Sequence, residues 1–139
     1  MGTWGLGYFD DDSALDFMAD VEESANPKAV LKNAFDKALE ADYLESDEGS
    51  AVIVAATYLD RQLNGTKFSA EDRDEPLEVD TFPDRHPEIN LSDLREKAVI
   101  ALSKVLNENS ELHELWRENE EDYPAWKNNV EALILRLKK

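Results

Sequence analysis

Aspartates crowd the start of this chain, and their spacing suits metal or acid chemistry. Asp10, Asp11 and Asp12 are consecutive, and carboxylate oxygens are the ligands that calcium and magnesium prefer in proteins. The run lacks the alternating Asp/Asn spacing and the glycine of a calcium-binding loop. Carboxylates that precede a helix instead bind its free backbone N–H groups and complement its dipole. We therefore predict that these aspartates cap a helix and that the protein holds no metal ion and no other cofactor.

Carboxylates also recur every four residues, at Asp12, Asp16 and Asp20. Residues at that spacing share one face of a helix, where each like-charged pair costs about 0.2–0.5 kcal/mol. No lysine or arginine precedes Lys28, so the stripe is solvated, paired with a distant cation or matched by a partner. A solvated face is the simplest interpretation. Asp16 is the candidate for partial burial, with hydrogen bonds from backbone N–H groups of residues 2–7.

An aromatic and glycine-rich segment precedes the aspartates. Gly5 and Gly7 do not form a phosphate-binding loop, because no Lys-Ser/Thr pair follows them and no strand precedes them. Glycine also permits positive φ and close backbone approach. We expect Trp4 and Phe9 to anchor this segment on the rest of the protein, with Gly5 and Gly7 shaping its backbone.

No catalytic constellation follows from the other residues. Cysteine is absent, which excludes a thiol nucleophile, a disulfide and a zinc–thiolate site. His86 and His113 are far apart in the sequence and lack metal-ligand spacing. The chain shows no nucleophile elbow, no Ser-His-Asp set and no glycosidase carboxylate pair. We therefore predict no catalytic residue.

The net charge of -17 is large for 139 residues. A field of this sign and strength repels nucleic acids and anionic membranes and attracts basic surfaces. Solubility explains the charge in the simplest interpretation, and a docking surface for a basic protein is the sharper hypothesis. The acidic stretches at residues 10–23, 71–84 and 111–122 would steer such a partner if two of them shared a face.

An aromatic residue lies within the last acidic stretch. Trp116, close to Glu114 and Glu118, has the composition of an interaction hot spot. We include these three residues with the aspartate stripe in a candidate binding surface. The alternative, which we favour, is that Trp116 packs inward with neighbouring leucines.

Helical periodicity dominates the chain after the aspartates. Apolar spacing and capping signals predict a first helix over residues 12–23 and a second over residues 26–44 that begins with an Asn-Pro cap. A third helix, over residues 47–64, is apolar almost all round and ends at an Asn-Gly stop. We interpret it as a central helix packed on more than one side. Further helices are predicted to begin near residues 92, 111 and 123.

Residues 66–90 differ from this pattern. They hold three prolines, eight acidic residues and few large apolar ones, which predicts a long irregular loop. The chain, residues 1–139, is thus predicted to form a single all-α domain. This domain is a compact bundle of about five or six helices, with the aromatic and glycine segment packed on it and the acidic, proline-rich loop attached. No apolar run approaches the ~20 residues of a membrane span, and no basic signal region opens the chain, so we expect a cytoplasmic protein.

Two patterns in the chain resemble a known family. Residues 4–17 follow WGxGxFDxDxAxDF, and residues 115–126 contain LWxE followed by YxxW. These patterns resemble the signature of a bacterial family called domain of unknown function 4259. The resemblance implies a compact, mostly helical bacterial protein. It supplies no activity, so no catalytic residue is carried over.

Three functional hypotheses follow from these observations. The leading one is a non-enzymatic acidic binding protein, specifically an inhibitor or immunity protein for a basic partner such as a nuclease-type toxin. The second is a carboxylate-based hydrolase or metal-dependent enzyme that uses Asp10, Asp12 and Asp16. The third is a structural homo-oligomer whose apolar central helix supports a dimer face.

Overall fold

Helices make up most of the described structure. The computed structural model describes residues 12–66 and 78–138, and these ranges contain seven α-helices, one 3-10 turn and no strand. The 3-10 turn, Ser92–Leu94, leads into α5. The α-helices are α1 (Asp12–Glu23), α2 (Pro27–Glu40), α3 (Ser46–Asn64), α4 (Glu78–Arg85), α5 (Arg95–Val105), α6 (Glu111–Arg117) and α7 (Tyr123–Leu137).

The predicted all-α bundle is confirmed by this arrangement. The predicted anchor of the N-terminal segment lies outside the described residues. That anchor comprises Trp4, Gly5, Gly7 and Phe9.

The central helix is α3, in which nearly every residue from Gly49 to Asp60 is buried. Helices α1, α2, α4, α5, α6 and α7 all pack against it. Tyr58 and Leu59 are completely buried as a result. The absence of a polar face on α3 predicted a central helix, and the structure explains it, because other helices surround α3. Because helices of the same chain cover α3, its middle turns leave no apolar face for a second copy.

Local caps set two of the helix ends that the sequence predicts. At the start of α2, the Asn26 side chain accepts a hydrogen bond from the backbone N–H of Ala29 at 3.3 Å. After α3, Gly65 adopts a left-handed conformation with φ of 75°, which a residue with a side chain adopts only at a cost. Both ends are fixed by residues adjacent in sequence, and both were therefore predictable.

The end of α2 is set by a distant residue. The helix stops at Glu40 rather than near residue 44, and Ala41 is extended. Lys104 of α5 donates from Nζ to the carbonyl oxygens of Ala41 at 2.9 Å and Leu39 at 3.2 Å. A lysine therefore satisfies carbonyl groups that a longer helix would have paired with its own N–H groups.

Part of the predicted loop at residues 66–90 is helical, because α4 lies within it. Val79 and Phe82 of α4 are buried, and the Phe82 ring meets the Tyr58 ring edge-on at 5.0 Å. Burial of these side chains orders a segment whose composition favours a loop. The described residues therefore contain seven α-helices, whereas five or six were predicted. Residues 67–77 lie outside the described residues.

A buried ion pair joins α3 to α7. Asp60 is completely buried, and its Oδ2 accepts a hydrogen bond from Arg136 Nε at 2.6 Å. Its Oδ1 accepts from Asn64 Nδ2 at 2.8 Å, and Asn64 also donates to the Arg136 carbonyl at 3.0 Å. Buried charge is tolerated when it is paired and hydrogen-bonded in this way, so the pair fixes α7 against the central helix.

Candidate functional site

The starts of α1 and α3 meet at one surface of the molecule. The first turn of α3 is a capping box, in which the carboxylates of Glu45 and Glu48 each accept from the other residue's backbone N–H. Ser13 of α1 donates from Oγ to Asp47 Oδ1 at 2.8 Å. The positive end of the helix dipole stabilises these carboxylates, so negative charge accumulates there at little cost to the fold.

The start of α6 lies beside the start of α3. An isolated parallel bridge pairs Leu44 with Ser110, with 2.8 Å hydrogen bonds from Leu44 N–H to the Asn109 carbonyl and from Glu111 N–H to the Leu44 carbonyl. The Glu111 carboxylate then accepts from the Ser46 N–H at 2.8 Å. Two acidic helix starts that are far apart in the sequence are thereby held side by side.

A pocket of about 340 Å³ opens between α1, α2 and α3 next to this junction. Its apolar lining comes from Phe17, Val30, Ala34 and Ala51. Lysine and arginine bury their aliphatic stems along apolar surface and keep the charged head at a polar rim. The pocket suits such a side chain, because its polar lining is mostly acidic: Asp20, Asp47 and Glu48, with Asn33 and Lys37.

Tyr43 is the exposed aromatic residue at this junction, with 44% of its surface accessible. Its hydroxyl donates to Glu114 Oε2 at 2.9 Å. That hydrogen bond raises the pKa of Tyr43 to about 12, with desolvation and the charges of Glu114, Glu111 and Glu45 adding to the effect. We call the whole surface the acidic face; it comprises Asp20, Tyr43, Glu45, Asp47, Glu48, Glu111 and Glu114.

Several lysines that would neutralise acids are engaged on the α2–α5 side. Lys32 and Lys97 bind Asp36 at 2.7 and 2.6 Å, and their hydrogen bonds lower the pKa of that carboxyl below its usual value. Lys28 binds Asp93 at 3.0 Å. Within the part of the chain that the structure describes, no carboxylate of the acidic face forms an ion pair with a lysine or arginine. Lys37 is a cation in the lining of the pocket, but the carboxylates outnumber it, so the face keeps a net negative charge.

The predicted aspartate stripe is only partly brought to this face. Asp20 lines the pocket, and Asp16 is exposed rather than partly buried. The side chain of Asp12 and the two preceding aspartates lie outside the described residues. Of the predicted glutamates, Glu114 belongs to the acidic face, whereas Glu118 is exposed beyond the end of α6.

Trp116 packs inward, between α6 and α7, rather than on the exposed surface. It is 4% exposed and stacks on Trp126 of α7, with ring centroids 5.8 Å apart and an interplanar angle of 12°. Leu112 and Trp116 are four residues apart and so share the inner face of α6, while Glu114 lies on the outer face. The hot-spot interpretation of Trp116 is wrong, and the inward packing is correct.

His113 is a buried residue that its acidic sequence surroundings do not predict. It is 7% exposed, its Nε2 lies 2.8 Å from the Tyr123 hydroxyl, and its Nδ1 has no hydrogen-bond partner among the described residues. Burial lowers the pKa of His113 below 6.5, and the charges of Arg117 and Lys127 lower it further. The imidazole is therefore neutral at neutral pH and links α6 to α7.

Among the residues of the acidic face, the sequence did not single out Tyr43, Glu45, Asp47 or Glu48, and it included Glu111 only within an acidic stretch. Spacing places Tyr43 inside the predicted second helix, whereas it lies in the linker that Lys104 creates by ending that helix early. An aromatic residue within an acidic run was the one available signal. The bridge that sets it beside Glu114 joins distant parts of the chain, so spacing alone does not reveal it.

The described residues include no group of three or more histidine, aspartate or glutamate side chains placed to hold a metal ion. Nor is any helix in the described ranges long and apolar enough to cross a membrane.

Comparison with known protein families gives a match over most of the chain. The model of the family described as Domain of unknown function (DUF4259) matches residues 2–129. The matched range contains every residue of the acidic face, and the match confirms the resemblance inferred from the sequence patterns. No curated protein and no solved structure matches the chain.

Proposed function

This chain belongs to the DUF4259 family, and from the arrangement of its own residues we propose that it is a non-enzymatic acidic binding protein. It acts in the cytoplasm as an inhibitor or immunity protein that neutralises a basic partner, such as a nuclease-type toxin. The observation that carries this proposal is the junction of helix starts, where the acidic stretches of α1 and α6 meet around the first turn of α3.

Electrostatics supports a basic partner. The chain carries a net charge of -17, and a field of one sign raises the association rate of an oppositely charged protein. Proteins that bind nucleic acid present clusters of lysine and arginine to the phosphates. Those clusters are the groups that a surface of unpaired carboxylates attracts, so occupying them would block access of the nucleic acid.

The pocket and Tyr43 add apolar and aromatic contact surface to the charge of the acidic face. A lysine or arginine of the partner places its aliphatic stem against Phe17 and Val30 and its cationic head near Asp20 and Asp47. Tyr43 adds an exposed ring to the same surface, and aromatic side chains are frequent energetic anchors of interfaces. The shape and charge of the acidic face therefore favour a partner with a basic side chain that projects from the partner's own surface.

The test compares two pairs of charge reversals that change the net charge equally. One double variant, Asp20→Lys with Glu114→Lys, alters the acidic face. The control, Asp84→Lys with Glu120→Lys, alters exposed carboxylates outside it. The partner is captured from lysate at low salt, purified and titrated against each variant, and its nuclease activity is measured with and without the protein.

The acidic-face variant should bind at least about tenfold more weakly and lose inhibition, because opposed charges become like charges. The control double variant should bind the partner with an affinity close to that of the wild type. Equal weakening by both pairs would show that only overall charge matters, and it would overturn the proposal. Failure to capture any basic protein at low salt would do the same.

A further inference from the structure

The outer side of α5 and α7 differs from the acidic face, because it exposes aliphatic side chains. Leu135 of α7 is 63% exposed, and Ile100 of α5 is 54% exposed. A groove of about 560 Å³ lies between the two helices, with Leu106, Ala132 and Leu135 in its lining. Single exposed aliphatic residues are ordinary, but Leu135 lines a concave surface between two helices.

The charges of this groove balance. Its lining includes the anion Glu131 and the cation Lys138, and its other polar lining residues, Ser103 and Asn128, are neutral. Neither Glu131 nor Lys138 forms an ion pair with another described residue. Two copies of a chain with net charge -17 repel each other, so they meet with least repulsion through a surface that carries no net charge.

The spacing of the two charges about Leu135 is close to symmetric. Glu131 lies four residues before Leu135, about 6 Å along the helix axis, and Lys138 lies three residues after it, about 4.5 Å. If two α7 helices cross antiparallel at Leu135, each Glu131 faces Lys138 of the second copy. A twofold axis repeats this pair, as a self-complementary interface requires.

We propose that the α5–α7 groove binds a second copy of this chain, forming a twofold dimer in which the α7 helices run antiparallel and cross at Leu135. Leu135 of each copy enters the groove of the other, and two Glu131–Lys138 pairs fix the register. The inference does not rest on the proposed function, since the acidic face lies on other helices and stays open in such a dimer.

Sedimentation velocity of the full chain, from low to high micromolar concentration at physiological salt, tests the dimer. The wild-type mass should rise from monomer to dimer. Leu135→Glu should abolish the rise, and Leu135→Asn should weaken it; both should keep the wild-type helical circular dichroism, because the side chain is exposed. The control Asp84→Lys, on α4, should dimerise as the wild type does.

Charge exchange tests the antiparallel register. Glu131→Lys and Lys138→Glu alone should each weaken dimerisation roughly tenfold, since two ion pairs become like-charged contacts. The double variant should restore it, because the exchanged charges pair again. A wild-type chain that stays monomeric, association that survives Leu135→Glu, or a double variant that is not rescued would each overturn the proposal. Saturation of the groove by a different protein in place of a second copy would overturn it as well.

Discussion

The acidic face and the α5–α7 groove are built from different parts of helices. Except for Asp20, the carboxylates of the acidic face lie at helix starts, where Glu45, Glu48 and Glu111 accept hydrogen bonds from backbone N–H groups. The groove lies instead where α5 and α7 end, and its lining includes Leu106 and Lys138, the residues that follow these helices. The backbone N–H groups of these last turns are already paired within the helices. Helix starts can therefore hold dense negative charge, while the ends of α5 and α7 present a groove of mixed aliphatic and polar side chains.

The two regions also depend on different long-range contacts. The acidic face requires α6 to lie beside the start of α3, through the bridge between Leu44 and Ser110. The groove requires α7 to stay against α3, through Asp60 and Arg136. Substitutions at these contacts should therefore disturb one region more than the other.

The largest effect is expected at the contact that supports the groove. Asp60→Ala leaves the guanidinium of Arg136 without its carboxylate, and breaking a buried pair costs about 3–5 kcal/mol in the free energy of unfolding. Urea denaturation measures the loss, and amide hydrogen exchange should rise first in α7.

The control for Asp60 is Asp84→Ala, which removes an exposed carboxylate of α4. It should change the free energy of unfolding by less than about 0.5 kcal/mol, as is usual at exposed positions. If both substitutions cost the same, Asp60 does not fix α7.

A smaller effect is expected where α6 supports the acidic face. A Cβ atom at Gly49 would lie 3.3 Å from Leu112 Cδ2, so Gly49→Leu overpacks the contact between α3 and α6 at a cost of about 1–3 kcal/mol. Displacement of α6 should also separate Glu114 from Tyr43 and lower the pKa of Tyr43 from about 12 towards 10. Urea denaturation and the absorbance of the phenolate measure the two results.

Gly49→Ala is the matched control for this crowding. Its single methyl group needs a shift of only a few tenths of an ångström by Leu112, and alanine gains about 1 kcal/mol over glycine in a helix interior. Its stability should stay near wild type. A leucine variant with wild-type stability and an unchanged pKa of Tyr43 would show that α6 does not need this close approach.

Structural features that are set by residues close together in the chain were predicted from the sequence alone. The start of α2 follows from Asn26 and Pro27, and the end of α3 follows from Gly65, because each cap acts within a few residues. The buried character of α3 also followed from its continuous apolar pattern. These features gave the all-α bundle and its central helix correctly.

Features that depend on distant contacts were missed. Lys104 ends α2 from α5, and burial of Phe82 against Tyr58 orders α4. The candidate site was only partly predicted for the same reason. The charge of α1 and α6 was evident from the sequence, but the bridge between Leu44 and Ser110, which holds α6 beside the start of α3, belongs to no local pattern.

The smallest of the expected effects concerns His113, which connects the inner side of α6 to α7 and so lies between the two regions. Burial lowers its folded-state pKa below the unfolded value of 6.5, so between these values the unfolded chain binds more protons than the folded one. The free energy of unfolding should therefore be undiminished by His113 above pH 6.5 and should decrease as pH falls below it.

Urea denaturation at a series of pH values, compared between wild type and variants, isolates this contribution. His113→Gln should remove the part of the pH dependence that begins near 6.5, although its overall stability is lower because the Tyr123 contact changes. If the free energy of unfolding of His113→Gln varies with pH as it does in the wild type, the acid sensitivity arises elsewhere. In that case α6 and α7 are not joined through a neutral imidazole.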